Sequence, residues 1–168
     1  MKKQTVDLAG AIAGVLAASL WLGGLLALGA FVAPIVFHVV PAPASGDAMT
    51  LVFARYDRAA LACAAVVGVA EAVRARVGGV QKIDVARIAC AVIATACAFI
   101  IAVKISPAIA ELHAQGAVRG IGPLGEALDR THDWATRLGK VESLALAVLI
   151  ALHLASRRIG KSQPERTD

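Results

Sequence analysis

The chain has 168 residues, 58% of them hydrophobic and only 17% charged, with a mean hydropathy of +0.73. One compact unit rather than two domains fits that length, and the composition excludes an ordinary water-soluble globule. The formal charge of +5 comes from basic residues scattered over short loops. That pattern is an orientation signal for a membrane protein rather than a nucleic-acid surface, so no nucleic-acid partner is expected.

Between Asp7 and Asp47 there is no Lys, Arg, Asp or Glu. A hydrocarbon core about 30 Å thick takes roughly 20 apolar residues as helix, and only a helix satisfies its own amides there. A first span over about 8–40 follows. Its apolar run is about twice the 7–15 residues of a secretory signal, so it is read as an uncut anchor. Gly10 and Gly14 form a GxxxG pair, and Gly23, Gly24 and Gly29 extend a smooth face for helix packing around Trp21. Pro34 removes one backbone donor and bends the outer third of this helix.

Three further spans are predicted over about 50–73, 83–114 and 133–156. They are separated by the Pro41–Asp47 turn, by Gly78-Gly79 and by the stretch from Gly116 to Gly125 with Pro123. The predicted fold is therefore all-α, a polytopic four-helix transmembrane bundle over 1–156, followed by a polar tail, 157–168. Lys2, Lys3, Arg74, Arg76, Lys82, Arg87, Arg157, Arg158, Lys161 and Arg166 gather on one side. The Gly78 turn is dense in them, which places it and both termini in the cytoplasm of an inner-membrane, multi-pass protein.

Some charges do not fit a bilayer easily. Arg58 and Glu71 are separated by about 20 Å of helix, and Glu142 and Arg157 by about 22 Å, at 1.5 Å per residue. Glutamate is too short to snorkel well, so Glu71 and Glu142 need partners. Arg74 and Arg87 are the candidates for Glu71, as a structural cluster. Arg58 and Lys104 are the candidates for Glu142. At the opposite end His38, Arg55, Asp57, Arg58, Lys104, His132, Asp133 and Glu142 come from the ends of four helices. Such convergence marks a candidate polar pocket, set against a belt of charge that merely neutralises itself at the interface.

A metal site would have to assemble from separate helices, because no HxxxH or HExxH pair occurs. His38 and His132 are the candidate ligands, with Met49 beside them as a soft donor. Cys63, Cys90 and Cys97 fall in apolar runs, where cysteine ordinarily acts as a small hydrophobe. No GxSxG, P-loop or strand-borne GxGxxG is present, so neither an enzyme nor a cofactor is predicted. Trp134 is expected to anchor the outer interface.

Three patches resemble the transmembrane-protein-205-like family. They are Leu20-Trp21-Leu22-Gly23-Gly24 with Ala33-Pro34-Ile35-Val36-Phe37, then Val52-Phe53-Ala54-Arg55-Tyr56, then Leu128, His132 and Thr136. Thr136 stands where serine is expected, and Lys140 where a small polar residue is usual. The resemblance implies a small four-span bundle without an assigned reaction, and it lends weight to Trp21, Gly24, Pro34, Arg55 and His132. The Trp-Leu-Gly-Gly patch is also similar to copper-resistance-D-type membrane domains, which are larger. Two functions are compatible with these residues. One is a pocket handling a solute, proton or metal ion, in a homo-oligomer or alone. The other is an accessory bundle that packs against another membrane protein in the lipid bilayer and takes no small ligand.

Overall fold

A computed structural model describes residues 2–78 and 81–159. It is 92% helix, with no strand among the described residues. Four rods run up and down. The first comprises α1 (Lys2–Ala27), a π-helical turn Leu28–Val32 and α2 (Ala33–Val39). The second is α3 (Ala44–Gly78). The third comprises α4 (Lys82–Ile100), a π-helical turn Ile101–Ile105 and α5 (Ser106–Ala114), and the fourth is α6 (Gly122–Ile159). The start of α1, the end of α3, the start of α4 and the end of α6 share one end of the bundle, the terminal end. The 40–43 and 115–121 connections share the distal end.

Periodicity explains the packing. Ala11, Gly14, Ala17, Ala18 and Trp21 line one face of α1, and Ala60, Cys63, Ala64 and Val67 one face of α3. Arg87, Ala91, Ala94 and Ala98 do so on α4, and Glu142, Ala145, Leu146, Leu149 and His153 on α6. These spacings of three and four residues make each helix bury a single stripe. The stripes are mostly alanine, which lets the backbones approach closely. Outward faces carry the opposite chemistry: Leu20 is 71% exposed and Leu144 68%. An apolar exterior around a small-residue core is what a lipid solvent favours.

Three rods are long and apolar enough to cross a membrane: Gln4–Val39, Lys82–Ala114 and Gly122–Ser156. The expected second span, 50–73, is helical but is not among them. Arg55, Asp57, Arg58 and Glu71 break its apolar run. The fourth rod also begins at Gly122, well before the expected 133. Pro123 sits in its first turn, where a missing N–H costs nothing, so it starts the helix rather than a loop. At the other boundary, Gln81 and Asp84 form a capping box on α4, with the Gln81 amide donating to Asp84 Oδ2 at 2.8 Å. Gly79, Lys161 and Arg166, which entered the orientation reading, lie outside the described residues.

The two π turns have a common cause. Pro34 and Pro107 each stand in the first turn of the helix that follows one. Proline cannot donate to the carbonyl one turn back, and a wider turn before it accommodates the lost bond. Each π turn also inserts one extra residue, which rotates everything beyond it by about 100°. The distal halves of the first and third rods therefore do not continue the stripes of their terminal halves. Past its π turn, α2 packs on α3 and on no other rod, whereas α1 packs on both α3 and α6. The bundle is closed at the terminal end and parted at the distal end.

The small residues of the first rod fall into two groups. A Cβ on Gly10 would lie 3.4 Å from Arg74 Cγ, and one on Gly14 3.4 Å from Ala70 Cβ, so both hold α1 against α3. Gly24 is tighter still, since its Cβ would meet Tyr56 Cε2 at 2.8 Å. Gly23 and Gly29 have nothing within 4 Å: Gly23 faces outward, and Gly29 borders the open space of the distal half. The smooth face expected through Gly23 thus turns away before it reaches that residue. Pro34 is exposed, and α2 buries no residue, so this proline shapes the helix rather than packing it.

Candidate functional site

The parted distal half encloses a cavity of about 630 Å³. Such a volume lies within the usual range for small-molecule sites. Its walls come from all four rods and are chiefly apolar, with Leu25, Leu26, Phe37, Phe53, Ile101 and Ile109 prominent. Both π turns contribute, through Gly29 and Ala30 on one side and Ile101 and Ile105 on the other.

The floor is polar. Glu142, 1% exposed, projects from the inward stripe of α6. Trp21 Nε1 donates to its Oε1 at 2.7 Å. Trp21, also 1% exposed, is fixed in turn by Tyr56, whose hydroxyl donates to the Trp21 carbonyl oxygen at 2.8 Å. The Tyr56 ring occupies the space that Gly24 leaves free. Three rods are thus locked together at one point. The other oxygen of Glu142, Oε2, is buried without a hydrogen-bond partner. Asp57, 8% exposed, is a second carboxylate on this floor, with Ser106 as its hydrogen-bonding neighbour. Higher up, His132 and His113 line the cavity with ring centroids 6.4 Å apart. His132 Nε2 and Thr50 Oγ1 are likewise buried and unpartnered. Buried polar atoms ordinarily find partners, so several unpartnered ones on residues lining a single cavity make it the candidate site.

Of the eight expected pocket residues, the fold brings Asp57, His132 and Glu142 to the cavity. His38, Arg55, Arg58, Lys104 and Asp133 are exposed and do not line it. The expected pairing of Glu142 with Arg58 or Lys104 does not form. Arg58 is out of phase with the buried stripe of α3, and Lys104 lies off the face of its rod that presents Ile101 and Ile105 to the cavity. Glu142 is therefore a buried carboxylate without a cation. Glu142→Ala should accordingly cost about 1–3 kcal/mol, the penalty for an unsatisfied Trp21 N–H, rather than the larger cost of stranding a charge. Thermal unfolding of the purified variant measures it, and a loss twice that size would mean that a cation had been stranded.

Neither candidate metal ligand gains a set of partners. His38 stays outside, and no group of three His, Cys, Asp or Glu side chains gathers among the described residues. Cys63 and Cys97 are buried in the alanine core and Cys90 is half-buried, all as free thiols. Trp134 is 57% exposed, with the Arg137 guanidinium 5.6 Å from its ring centroid. Sequence reasoning overlooked Ser106, Thr50 and His113 as site residues. The available signal was Pro107, which repeats on the third rod what Pro34 does on the first.

A separate network closes the terminal end. Arg87, 1% exposed, donates from Nε and Nη2 to Glu71, with Nη2 3.0 Å from Oε2, and pairs with Asp84 at 2.7 Å. His153 Nε2 lies 2.9 Å from Glu71 Oε1, while Arg74 Nη1 is 2.8 Å from Nδ1. Arg74 reaches Asp7 at 3.0 Å. Glu71 thus takes Arg87 as expected, but His153 stands in the place expected of Arg74.

Long apolar rods around a small-residue core, with a half-buried chamber between them, define a multi-pass helical membrane protein. Residues 16–118 match the family described as a domain of unknown function, DUF4149, and the chain belongs to that family. Among curated proteins and among solved structures nothing matches the chain.

Proposed function

We propose that this is a four-span inner-membrane protein whose distal cavity faces the extracytoplasmic side and binds a small organic solute. One observation carries the reading. Glu142 Oε2 is buried, unpartnered and set in the floor of a chamber with apolar walls. Intramembrane carboxylates are costly, and their retention is by default a sign of function. Trp21, Tyr56 and Gly24 act as the positioning set that holds the carboxylate still. The likeness to the transmembrane-protein-205-like family supports the four-span arrangement and assigns no reaction.

In this reading α3 crosses the bilayer despite its charges, because Asp57 and Glu71 face the interior while Arg55 and Arg58 reach the distal interface. An impermeant thiol reagent added from outside should label cysteine placed at Ala44 or Gly120 and miss one at Gln81, all three being exposed positions. The opposite pattern reverses the orientation.

The binding claim is tested on the purified full chain by a thermal-shift screen of neutral, anionic and cationic organic solutes, with metal ions alongside. A saturable rise in melting temperature that Glu142→Gln diminishes supports the cavity as a solute site. A flat response to the whole panel, with another membrane protein co-purifying in fixed ratio, would replace it with the accessory-bundle reading.

A further inference from the structure

Resting on the reading of the distal cavity as a solute site, we propose that its ligand is an amphipathic organic cation. The ammonium sits between Asp57 and Glu142, and the hydrocarbon lies along the chamber toward the gap between α2 and α6.

The floor selects the charge. Asp57 and Glu142 line one cavity, both nearly inaccessible, and neither has an ion-pair partner among the described residues. Arg55, Arg58 and Lys104 face elsewhere. The basic groups on the wall are Lys140, which is exposed, and the half-buried His113 and His132 above the floor. Two carboxylates in a low-dielectric site repel each other unless a proton or a cation lies between them. Oε2 of Glu142 is the acceptor left open for it.

The walls select the rest of the molecule. A bare metal ion would be served poorly, since hard cations take six or more oxygen ligands and this chamber is mostly hydrocarbon. An alkyl chain meets Leu25, Leu26, Phe37, Phe53, Ile101 and Ile109 instead. The gap matters equally. The backbones of α2 and α6 make no close approach, and Leu26 and Phe37 on the cavity wall are 52% and 47% exposed. On an apolar protein surface that gap opens toward lipid rather than water, so an amphipath already dissolved in the bilayer reaches the floor with its tail still in an apolar medium.

The chain has two tryptophans, and Trp134→Phe leaves Trp21, which touches Glu142, as the reporter. The full chain carrying that change, in lipid nanodiscs, is titrated with dodecylamine, with dodecanol at the same mole fraction in the bilayer, and with butylamine. Dodecylamine should give a saturable change in Trp21 emission and a raised melting temperature. Its affinity should exceed that of dodecanol by about tenfold or more, as one charge-assisted hydrogen bond provides, and that of butylamine by at least as much through its longer buried alkyl chain. Asp57→Asn, which leaves the Trp21 contact intact, should remove that advantage, and Glu142→Gln should do the same if it folds. Dodecanol binding as tightly overturns the cationic floor while leaving the cavity reading in place. Butylamine binding as tightly overturns the amphipath. Silence from all three overturns the proposal, and the cavity reading falls with it only if the wider solute panel is silent too.

Discussion

Glu71→Ala should destabilise the protein by about 3–5 kcal/mol, the cost of stranding a buried charge. Arg87 is 1% exposed and reaches Glu71 with two nitrogens. Without that carboxylate it keeps only Asp84, and its Nη1 is already unpartnered. His153 loses its neighbour on the Nε2 side at the same time. The network joins α1, α3, α4 and α6 through Asp7, Arg74, Glu71, Arg87 and His153, so one deletion loosens every rod at the terminal end. Replacing both partners, as in Glu71→Leu with Arg87→Met, should recover most of the loss, because no charge is then left buried alone. Thermal or denaturant unfolding in detergent reads all three proteins. A single variant as stable as the parent would show that water reaches Arg87 and that the pair is not truly buried.

Trp21→Ala should cost a similar amount, about 3–5 kcal/mol, by leaving a cavity in a core too thinly padded with alanine to collapse into it. Ala18, Ala64, Ala94 and Leu146 in the same cluster are all at most 6% exposed. Trp21→Phe separates the two roles of the indole. It keeps most of the ring volume and removes the donor to Glu142 Oε1. The expected loss is about 1–3 kcal/mol, the penalty for a buried acceptor without its bond. Because Glu142 then has two unpartnered oxygens, this variant should also bind organic cations no more weakly than the parent. Unfolding of each variant, and the rise in its melting temperature with added dodecylamine, check both halves. If Trp21→Phe proved as damaging as Trp21→Ala, the hydrogen bond rather than the packing would dominate this site.

The sequence alone determined an all-helical chain with apolar rods suited to lipid, though not where every rod begins. Apolar runs free of charge dictate helices in lipid, because the backbone has no other way to satisfy itself there. The place of Trp21 in mid-span and the need of Glu71 for Arg87 were legible for the same reason: both concern distance along one helix, or across one short turn. The inward faces were legible in part, since the stripes of α4 and α6 place Arg87, Glu142 and His153 on the same faces as the core alanines and leucines. What only the tertiary structure decided was rotation and neighbours. One inserted residue at each π turn rotates the distal halves by about 100°, a change that hydropathy does not register. It helps to part α2 from α6. The partner of Glu142 is Trp21, separated by 121 positions in the chain. Spacing within a helix says nothing about which face another helix presents at the same depth, and charge arithmetic favours a cation there. Alanine packing brought an indole N–H close instead, which left the floor of the cavity acidic and without a counter-charge of its own.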